Sequence, residues 1–364
     1  MTQVVRCLLL LTLFFVNGLC SSFAQQADSS QLQQKAIFIL PLVYYTPETR
    51  WVFGVGGASN FNLGETGGTY ESQAAFGVAY SLRKQFLSYA SWRIFTPENK
   101  NLFSGEVGWY DYVYFFYGIG NHVNESDLEN YDARFPRVRW DYFRRISTST
   151  YLGVKSGLDK FQFSSFDPDG KLANESFLGS EGGLNLGIGP ALIIDSRDDS
   201  IYPVSGWYSE NYIQRFGKPF GGDFSYWEIG VDLRNYQTIR PGLVWANQLA
   251  TKITSGSTPF FALPLLGGNR SLRGLFEGKY RDTNSAFVQS ELRKSLGNRW
   301  GIVGFAGVGN VFPDLQSLAK GAKITYGAGG RFRLSKAKKL NLRLDLAHSP
   351  GESMQFYFTF GEAF

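Results

Sequence analysis

Residues 340–346 read Leu-Asn-Leu-Arg-Leu-Asp-Leu, with a leucine at every second position and a polar or charged residue between. Side chains alternate between the two faces of a β-strand, so this segment presents one apolar face and one charged face. Residues 228–234, Glu-Ile-Gly-Val-Asp-Leu-Arg, repeat the pattern, and Phe356, Phe358 and Phe360 share one face of the last segment. The pattern predicts strands that separate apolar surroundings from a polar interior.

Segments of this kind recur along the chain, each roughly ten residues long and bounded by turn residues. They begin near Ile37, Trp51, Thr69, Gln85, Asn101, Arg137, Thr150, Gly182, Gly206, Asp223, Gly242, Ser285, Arg299, Lys323, Leu340 and Ser353. Bacterial single-chain outer-membrane barrels have an even number of strands, and the count here is about 16. The predicted fold class is all-β, a transmembrane antiparallel β-barrel. A soluble sandwich alternates similarly, but the recurring face of charges and glycines, together with predicted export, favours the barrel.

The N-terminus predicts export. Arg6 precedes an apolar run at residues 7–16, and small residues lead to Ala24. This order is typical of a secretory signal peptide, here residues 1–24, cleaved after Ala24. Lipoprotein processing at Cys20 is the alternative, but Leu19 is a poor residue before such a cysteine. Residues 25–35 are then a short periplasmic tether, and residues 36–364 form the barrel.

Composition argues against several other classes of protein. Both cysteines, Cys7 and Cys20, lie in the predicted signal, so disulfides and thiol chemistry are not expected. The net charge of +5 comes from dispersed basic residues, which does not predict a nucleic-acid partner. The two histidines, His122 and His348, lack a nucleophile-like context, so no enzyme activity is expected. No residue spacing predicts a metal site or a cofactor.

Connection lengths predict the orientation of the barrel. The long connections at residues 118–136, 164–180 and 255–284 all follow odd-numbered strands, whereas most connections after even-numbered strands are short. Outer-membrane barrels keep short periplasmic turns and long outer loops, so both chain ends are predicted to lie on the periplasmic side. Residues 195–206 are an exception, a long connection after an even-numbered strand.

Two segments carry a resemblance to a known family. The exception contains Asp195, Arg197, Asp198, Pro203 and Gly206, in a turn similar to the Asp-x-Arg-Asp…Pro-x-x-Gly turn of the BamA/TamA family of outer-membrane barrels, also called the bacterial surface antigen family. Residues 263–282 read Leu-Pro-Leu-Leu-Gly-Gly-Asn-Arg-Ser-Leu-Arg-Gly-Leu-Phe-Glu-Gly-Lys-Tyr-Arg-Asp and resemble that family's long loop, which folds into the lumen. The resemblance implies the same path for this loop.

The loop motif of the family is a hydrophobic residue, arginine, glycine and an aromatic residue. The corresponding residues here are Leu272, Arg273, Gly274 and Leu275, so a leucine replaces the aromatic residue. A buried arginine needs a partner, but Gly307 stands where the family usually has the receiving aspartate. The candidate partners are Glu291, which alternation places on the inner face, and Asp345. Arg273 would then hold the loop and stiffen the barrel, with or without a role in transport.

The resemblance covers residues 184–364 and extends to the C-terminus. There, Phe358, Phe360, Gly361 and Phe364 resemble the signal by which outer-membrane barrels are recognised for insertion. The glycines of residues 327–330 are expected to give the incoming loop room. Only residues 25–35 separate the predicted signal from the first strand, so the chain is expected to be a barrel-only member without periplasmic modules.

The resemblance implies a function at the outer membrane. The barrel is expected to assist insertion or translocation of a protein, or of lipid, by weak closure between the first and last strands, whose edges would template a client strand. Expected partners are outer-membrane lipid, a separate periplasmic protein and an unfolded outer-membrane or secreted client. The alternative is a passive pore or structural barrel plugged by its inward loop.

Overall fold

The computed structural model describes residues 36–46, 50–64, 68–335 and 340–364. The predicted signal peptide and the predicted tether, residues 1–24 and 25–35, lie outside the described residues. Among the described residues, no helix has the length and apolar character needed to cross a membrane.

Sixteen long strands form one antiparallel sheet, in which each strand pairs with its neighbours in the chain. They are β1 Ala36–Thr46, β2 Arg50–Phe61, β3 Ser72–Ser81, β4 Phe86–Phe95, β5 Asn101–Phe116, β6 Glu129–Arg145, β7 Thr150–Phe166, β8 Gly183–Asp195, β9 Gly206–Phe216, β10 Ser225–Arg240, β11 Leu243–Ser257, β14 Asn284–Leu296, β15 Trp300–Phe312, β16 Lys323–Ser335, β17 Leu340–His348 and β18 Gln355–Phe360. The predicted all-β antiparallel barrel with 16 strands is confirmed.

Shorter elements lie in the connections. A two-residue pair, β12 Leu265–Leu266 and β13 Tyr280–Arg281, closes the base of the inward loop. One turn of α-helix, α1, spans Lys171–Asn174. Single 3-10 turns lie at Pro97–Asn99, Glu125–Asp127, Lys218–Phe220, Phe260–Ala262 and Leu315–Ser317.

The two faces of the sheet differ as the alternation predicts. On β17, Asn341, Arg343 and Asp345 are buried, whereas Leu344 and Leu346 are exposed. This distribution, with exposed apolar side chains and buried charged ones, is the reverse of that in a soluble protein. It is typical of a barrel wall that separates lipid from a polar lumen.

The prediction that β6 begins near Arg137 is wrong, because this strand begins at Glu129. Tyr131, Ala133 and Phe135 are buried on its inner face, whereas Asn130 and Arg134 point outward. This order is the inverse of the lipid-facing pattern, so the segment resembles a polar loop in sequence. From Val138 onward, Val138, Trp140 and Tyr142 are the exposed outer residues. The first part of β6 therefore projects beyond the apolar belt of the barrel.

The inner face of this projecting part carries a cluster of aromatic side chains. It is joined by Phe177 from the segment after α1 and by residues of the 3-10 turn after β11, and Leu172 of α1 packs against it. We call Phe116, Tyr131, Phe135, Phe161, Phe163, Phe177, Phe260 and Phe261 the aromatic cluster. The rings of Phe161 and Phe261 lie 4.0 Å apart and those of Phe135 and Phe161 lie 4.2 Å apart.

The last strand also differs from the prediction of a strand at 353–364, since β18 ends at Phe360. Gly361 has a φ of 78°, which turns the chain out of the sheet. Phe356 and Phe358 are exposed on the outer face, but Phe364 is 7% exposed and packs against Tyr236. The final residues are therefore folded into the barrel.

Candidate functional site

The loop between β11 and β14 folds into the lumen, and its glycines allow the path. Gly267, Gly268 and Gly274 have φ values of 97°, 109° and 114°. A Cβ atom on Gly274 would also lie 2.9 Å from the backbone of His348, so only glycine fits there. Leu272 has a φ of 42° and is fully buried, an uncommon backbone conformation for a residue with a side chain.

Arg273 lies at the tip of this loop and is 1% exposed. Its Nη1 donates to Asp345 Oδ2 on β17 at 2.5 Å, and its Nη2 donates to Glu291 Oε1 on β14. Both carboxylates are also fully buried. The guanidinium group therefore bridges two strands that are not neighbours in the sheet, and it ties the loop to both.

The aromatic residue that contacts Arg273 comes from the barrel wall. The guanidinium carbon of Arg273 lies 3.6 Å from the ring centre of Phe305 on β15, which is the geometry of a cation–π contact. Leu275, which occupies the aromatic position of the loop motif, is fully buried in an apolar cluster with Leu266, Leu272 and Tyr280.

Gly307 and Gly309 on β15 make space for the loop. A Cβ atom at either position would lie 2.6 Å from a methyl carbon of Leu272. Gly307 therefore receives a leucine of the loop, and the arginine is neutralised elsewhere. The glycines of β16 serve a different purpose from the one expected, since Gly327 accommodates Phe305 and Gly329 accommodates Asp345.

Further charged residues surround Arg273 and its two carboxylate partners. We call Arg273, Glu291, Arg293, Arg331, Arg343, Asp345 and Glu362 the ion cluster. Arg293 Nε donates to Glu291 at 2.9 Å, and Arg331 Nη1 donates to Asp345 at 2.6 Å. Arg343 Nη2 reaches the loop itself and donates to the carbonyl of Asn269 at 2.7 Å. Glu291 and Asp345 are thus each shared between arginines, which reduces the cost of burying their charges.

The C-terminal residues complete the ion cluster. Glu362 accepts hydrogen bonds from Arg331 Nε and from Asn341, both at 2.8 Å, and Arg293 Nη2 donates to an oxygen of Phe364 at 2.8 Å. Burial alone would raise the pKa of Glu362, but Arg331 and Arg293 hold it below its usual value. The chain end is therefore held in the lumen by arginines of β14 and β16.

A second contact holds the loop to the turn between β17 and β18. Lys279 Nζ donates to Glu352 at 2.7 Å and also to Glu125, and Tyr280 donates to Glu352 at 2.5 Å. Burial alone would lower the pKa of Lys279, but its hydrogen bonds to Glu125 and Glu352 raise it, so the ammonium group stays charged. Tyr357 on β18 accepts a hydrogen bond from the backbone of Gly274 at 3.0 Å.

The turn at residues 195–206 is held by its own side chains. Arg197 grips Asp195 through two parallel bonds of 2.8 and 2.6 Å, and Asp198 accepts from the backbone of residues 204 and 205 at 2.9 Å. Pro203 is buried, and Gly206 has a φ of 102°. All five motif residues thus lie in one turn, which contacts the segment before β3 through Tyr70.

Sequence reasoning missed several residues of this site, namely Phe305, Tyr357, Arg293, Arg331, Arg343 and Glu362. Alternation gives a signal for five of them, because Arg293 is two residues from Glu291, Arg343 is two residues from Asp345, and Phe305, Arg331 and Tyr357 lie on inward positions of β15, β16 and β18. Glu362 has no such signal, since its position depends on the turn at Gly361. In the part of the chain that the structure describes, no group of acidic and histidine residues is arranged to hold a metal ion.

The apolar outer face, the polar inner face and the inward loop together define an outer-membrane β-barrel with an occupied lumen. The sequence matches the Omp85 superfamily domain over residues 55–364, so the chain belongs to the Omp85 superfamily.

Solved structures agree with this family at the level of the fold. BamA from Haemophilus ducreyi lacking POTRA domains 1–3 aligns with a TM-score of 0.55 and 12% identity, covering 90% of this chain and 70% of that one. CdiB from Escherichia coli gives 0.57 and 10%, covering 92% and 63%. CdiB from Acinetobacter baumannii gives 0.56 and 12%, covering 91% and 60%, so this chain spans less than two thirds of either CdiB. Among curated proteins, no match was found.

Proposed function

We propose that this barrel assists the insertion or translocation of proteins at the outer membrane, using an edge of its sheet rather than covalent chemistry. The observation that carries the proposal is the contact between the inward loop and the last hairpin. Asp345, Glu352 and Tyr357 are contributed by β17, β18 and the turn between them, and each bonds to the loop. The loop thereby braces the hairpin that ends the sheet.

The two ends of the sheet differ in length. β1 has eleven residues and β18 has six, which makes β18 the shortest strand of the described sheet. If these two strands pair, backbone hydrogen bonds can form along at most the six residues of β18. Several backbone N–H and C=O groups of β1 then have no partner on β18. Unpaired backbone groups are costly in lipid and favour pairing with another strand. A client strand that adds to β1 would meet this need.

In this proposal, the ion cluster has a positioning role. Arg273 fixes the loop against β17 and β14, and the loop in turn supports β18 through Gly274. With the hairpin supported, β18 can separate from β1 while the rest of the barrel keeps its shape. The periplasmic protein expected to deliver a client would act on the side where both chain ends are predicted to lie.

Depletion of the protein in its own bacterium, followed by quantitative analysis of the outer membrane, tests the proposal. The expected result is a fall in one or more outer-membrane or secreted proteins that wild-type protein restores. Arg273→Ala and Glu352→Gln should fail to restore them fully, although each variant is present in the membrane. An unchanged protein and lipid composition after depletion would contradict the proposal.

Arg134→Ala provides a matched control. Arg134 also forms an ion pair, with Asp111 at 2.8 Å, but it is half-exposed on the outward face of β6 and does not contact the loop. This variant should restore the outer membrane as well as wild type does. A failure equal to that of Arg273→Ala would show that the loss of any ion pair is sufficient and that the loop has no special role.

A passive barrel plugged by its loop is the second candidate, and the burial of the loop favours it. Leu272, Arg273 and Leu275 are at most 1% exposed, as expected of a plug. This function predicts that purified protein has low conductance in planar bilayers, that removing residues 263–282 raises it, and that depletion leaves the outer-membrane proteins unchanged. Conductance that does not change upon removal of the loop would count against it.

A further inference from the structure

The inner face of β6 has three layers along its length. Phe135 and Phe143, toward the two ends of the strand, are 3% and 1% exposed. Between them, the side chains of Arg137 and Arg139 are 31% and 35% exposed. All four residues occupy alternate positions and point into the lumen. Solvent therefore reaches the middle of the inner face of β6, but neither of its ends.

Other strands in this half of the sheet repeat the order. On β10, Tyr226 and Tyr236 are each 1% exposed, whereas the side chains of Asp232 and Arg234 between them are 26% and 24% exposed. The strands β7 and β9 likewise carry a partly exposed charge between two buried rings, namely Tyr151, Lys155 and Phe161 on β7, and Tyr208, Glu210 and Phe216 on β9. We call the space beside these charged side chains the chamber.

The inward loop leaves the chamber open. The tip of the loop is buried against β14 and β17 through Arg273, but Arg270 is exposed, although its carbonyl oxygen accepts from Gln289 on the inner face of β14 at 2.8 Å. On β11, the side chain of Lys252 is 53% exposed and lies 3.9 Å from Glu228 on the inner face of β10. The loop therefore fills the part of the lumen beside β14–β18 and not the part beside β6–β11.

The aromatic cluster covers the chamber at the end with the long connections. The backbone N–H of Phe260 donates to the carbonyl of Leu178 at 2.9 Å, which joins the connection after β11 to the connection after β7. The ring of Phe261 lies 5.4 Å from that of Phe224, just before β10. The cluster thus extends from β5 to β10, and one of its segments crosses from β11 to the β7–β8 connection.

A second apolar cluster covers the other end of the same strands. We call Phe95, Leu102, Phe143, Tyr151, Ile193 and Tyr208 the turn-side cluster. Tyr70, from the connection before β3, packs edge-on against Phe95 at 5.3 Å, and its hydroxyl donates to the carbonyl of Arg197 at 3.4 Å. The turn at residues 195–206 is thereby joined to the opposite connection, as at the other end.

We propose that the aromatic cluster and the turn-side cluster are two apolar barriers in series, one at each end of a solvent-filled chamber beside the loop. Apolar constrictions oppose the passage of ions because ions lose their hydration there. Small ions and hydrophilic solutes then pass through the lumen only when both clusters open. The loop is one wall of this path and does not close it alone.

Cysteine labelling of the purified full barrel tests the closure of the chamber. Residues 36–364 contain no cysteine, so a single one can be introduced. A small charged thiol reagent should modify Lys252→Cys at least roughly tenfold more slowly than Leu315→Cys, because Leu315 is 76% exposed in the connection after β15 and needs no local opening. Equal rates would overturn the proposal.

Opening one cluster should expose the chamber. Phe260→Ala with Phe261→Ala opens the aromatic cluster, and Tyr70→Ala with Phe95→Ala opens the turn-side cluster. Each pair should speed the labelling of Lys252→Cys by roughly tenfold or more, because the loss of buried rings favours local opening. Unchanged labelling in a pair that retains the heat-resistant migration of a folded barrel would overturn the proposal.

Conductance in planar bilayers tests whether the barriers act in series. Wild type and each pair should conduct little, and conductance should rise several-fold only when all four substitutions are combined. A rise with one pair alone would overturn the series arrangement, as would no rise in a folded fourfold variant. Val138→Ala with Trp140→Ala is the matched control, since both side chains are exposed on the outer face of β6; it should change neither labelling nor conductance. The labelling comparison in the otherwise unchanged chain decides the question if the fourfold variant does not fold.

Discussion

Two regions of the lumen wall are filled in opposite ways. The ion cluster between β14 and β17 contains buried arginines and carboxylates that share their partners, and it holds a loop in one position. The aromatic cluster of β5–β7 contains rings that pack against α1 and the turn after β11. Charged pairs are strong only when every partner is present, whereas apolar packing tolerates small changes. The first region therefore fixes a position, and the second excludes water.

The largest effect is expected from Arg273→Ala. This variant leaves Glu291 and Asp345 buried near fewer cations, and breaking a buried pair costs about 3–5 kcal/mol. Unfolding in urea, followed by tryptophan fluorescence in detergent or liposomes, should show a loss at the upper end of this range. A loss below about 1 kcal/mol would mean that water or neighbouring arginines already satisfy the two carboxylates.

A smaller loss of unfolding free energy is expected from Phe260→Ala in the aromatic cluster. Phe260 is 1% exposed and its ring lies 5.5–5.7 Å from those of Phe116, Tyr131 and Phe163. Removing a buried phenylalanine ring usually costs about 3 kcal/mol or more, but this cluster lies beyond the apolar belt and can relax. The same urea unfolding series checks this. A loss equal to that of Arg273→Ala would remove the contrast between the two regions.

Gly274→Ala should cost about 1–3 kcal/mol, because alanine is strained at a φ of 114° and its Cβ would press against the backbone of His348. Gly221→Ala is a control for the positive φ alone, since its φ is 91° and no atom lies within 4 Å of the added Cβ. Gly274→Ala should be the more destabilising of the two in urea unfolding. Equal losses would show that the contact with His348 does not matter.

The smallest effect belongs to Arg134→Ala, which removes the exposed ion pair with Asp111. Exposed pairs contribute less than about 1 kcal/mol to the free energy of unfolding, and salt screens them. The midpoint in urea should shift little, and raising the salt concentration should remove even that shift. A loss similar to that of Arg273→Ala would imply that burial does not distinguish the two arginines.

Much of the barrel could be predicted from local alternation. Most predicted strand starts lie within three residues of the observed ones, because lipid imposes an apolar outer face on each strand. The exception at Glu129 arises where β6 leaves the apolar belt and its outer residues become polar. In that part of β6 the apolar residues face inward and the polar residues face outward, so an alternation pattern that assumes a lipid-facing apolar side does not predict the strand.

The site was less predictable than the wall. Alternation and the loop motif identified Arg273, Glu291 and Asp345, which the structure brings together. The contribution of Phe305 depends on Gly327 making room for its ring, and that of Glu362 depends on a chain reversal at Gly361. These are tertiary relations between residues far apart in sequence, so no short-range pattern contains them.

The central claim is that Arg273 ties the inward loop to the hairpin at the end of the sheet. A double-mutant cycle with Arg273→Met and Asp345→Asn measures that tie directly through the free energy of unfolding in urea. The free energies of unfolding lost in the two single variants should add up to about 1–3 kcal/mol more than the loss in the double variant, as expected for residues in direct contact. If the two single losses add up to the loss of the double variant within about 0.5 kcal/mol, the claim is contradicted.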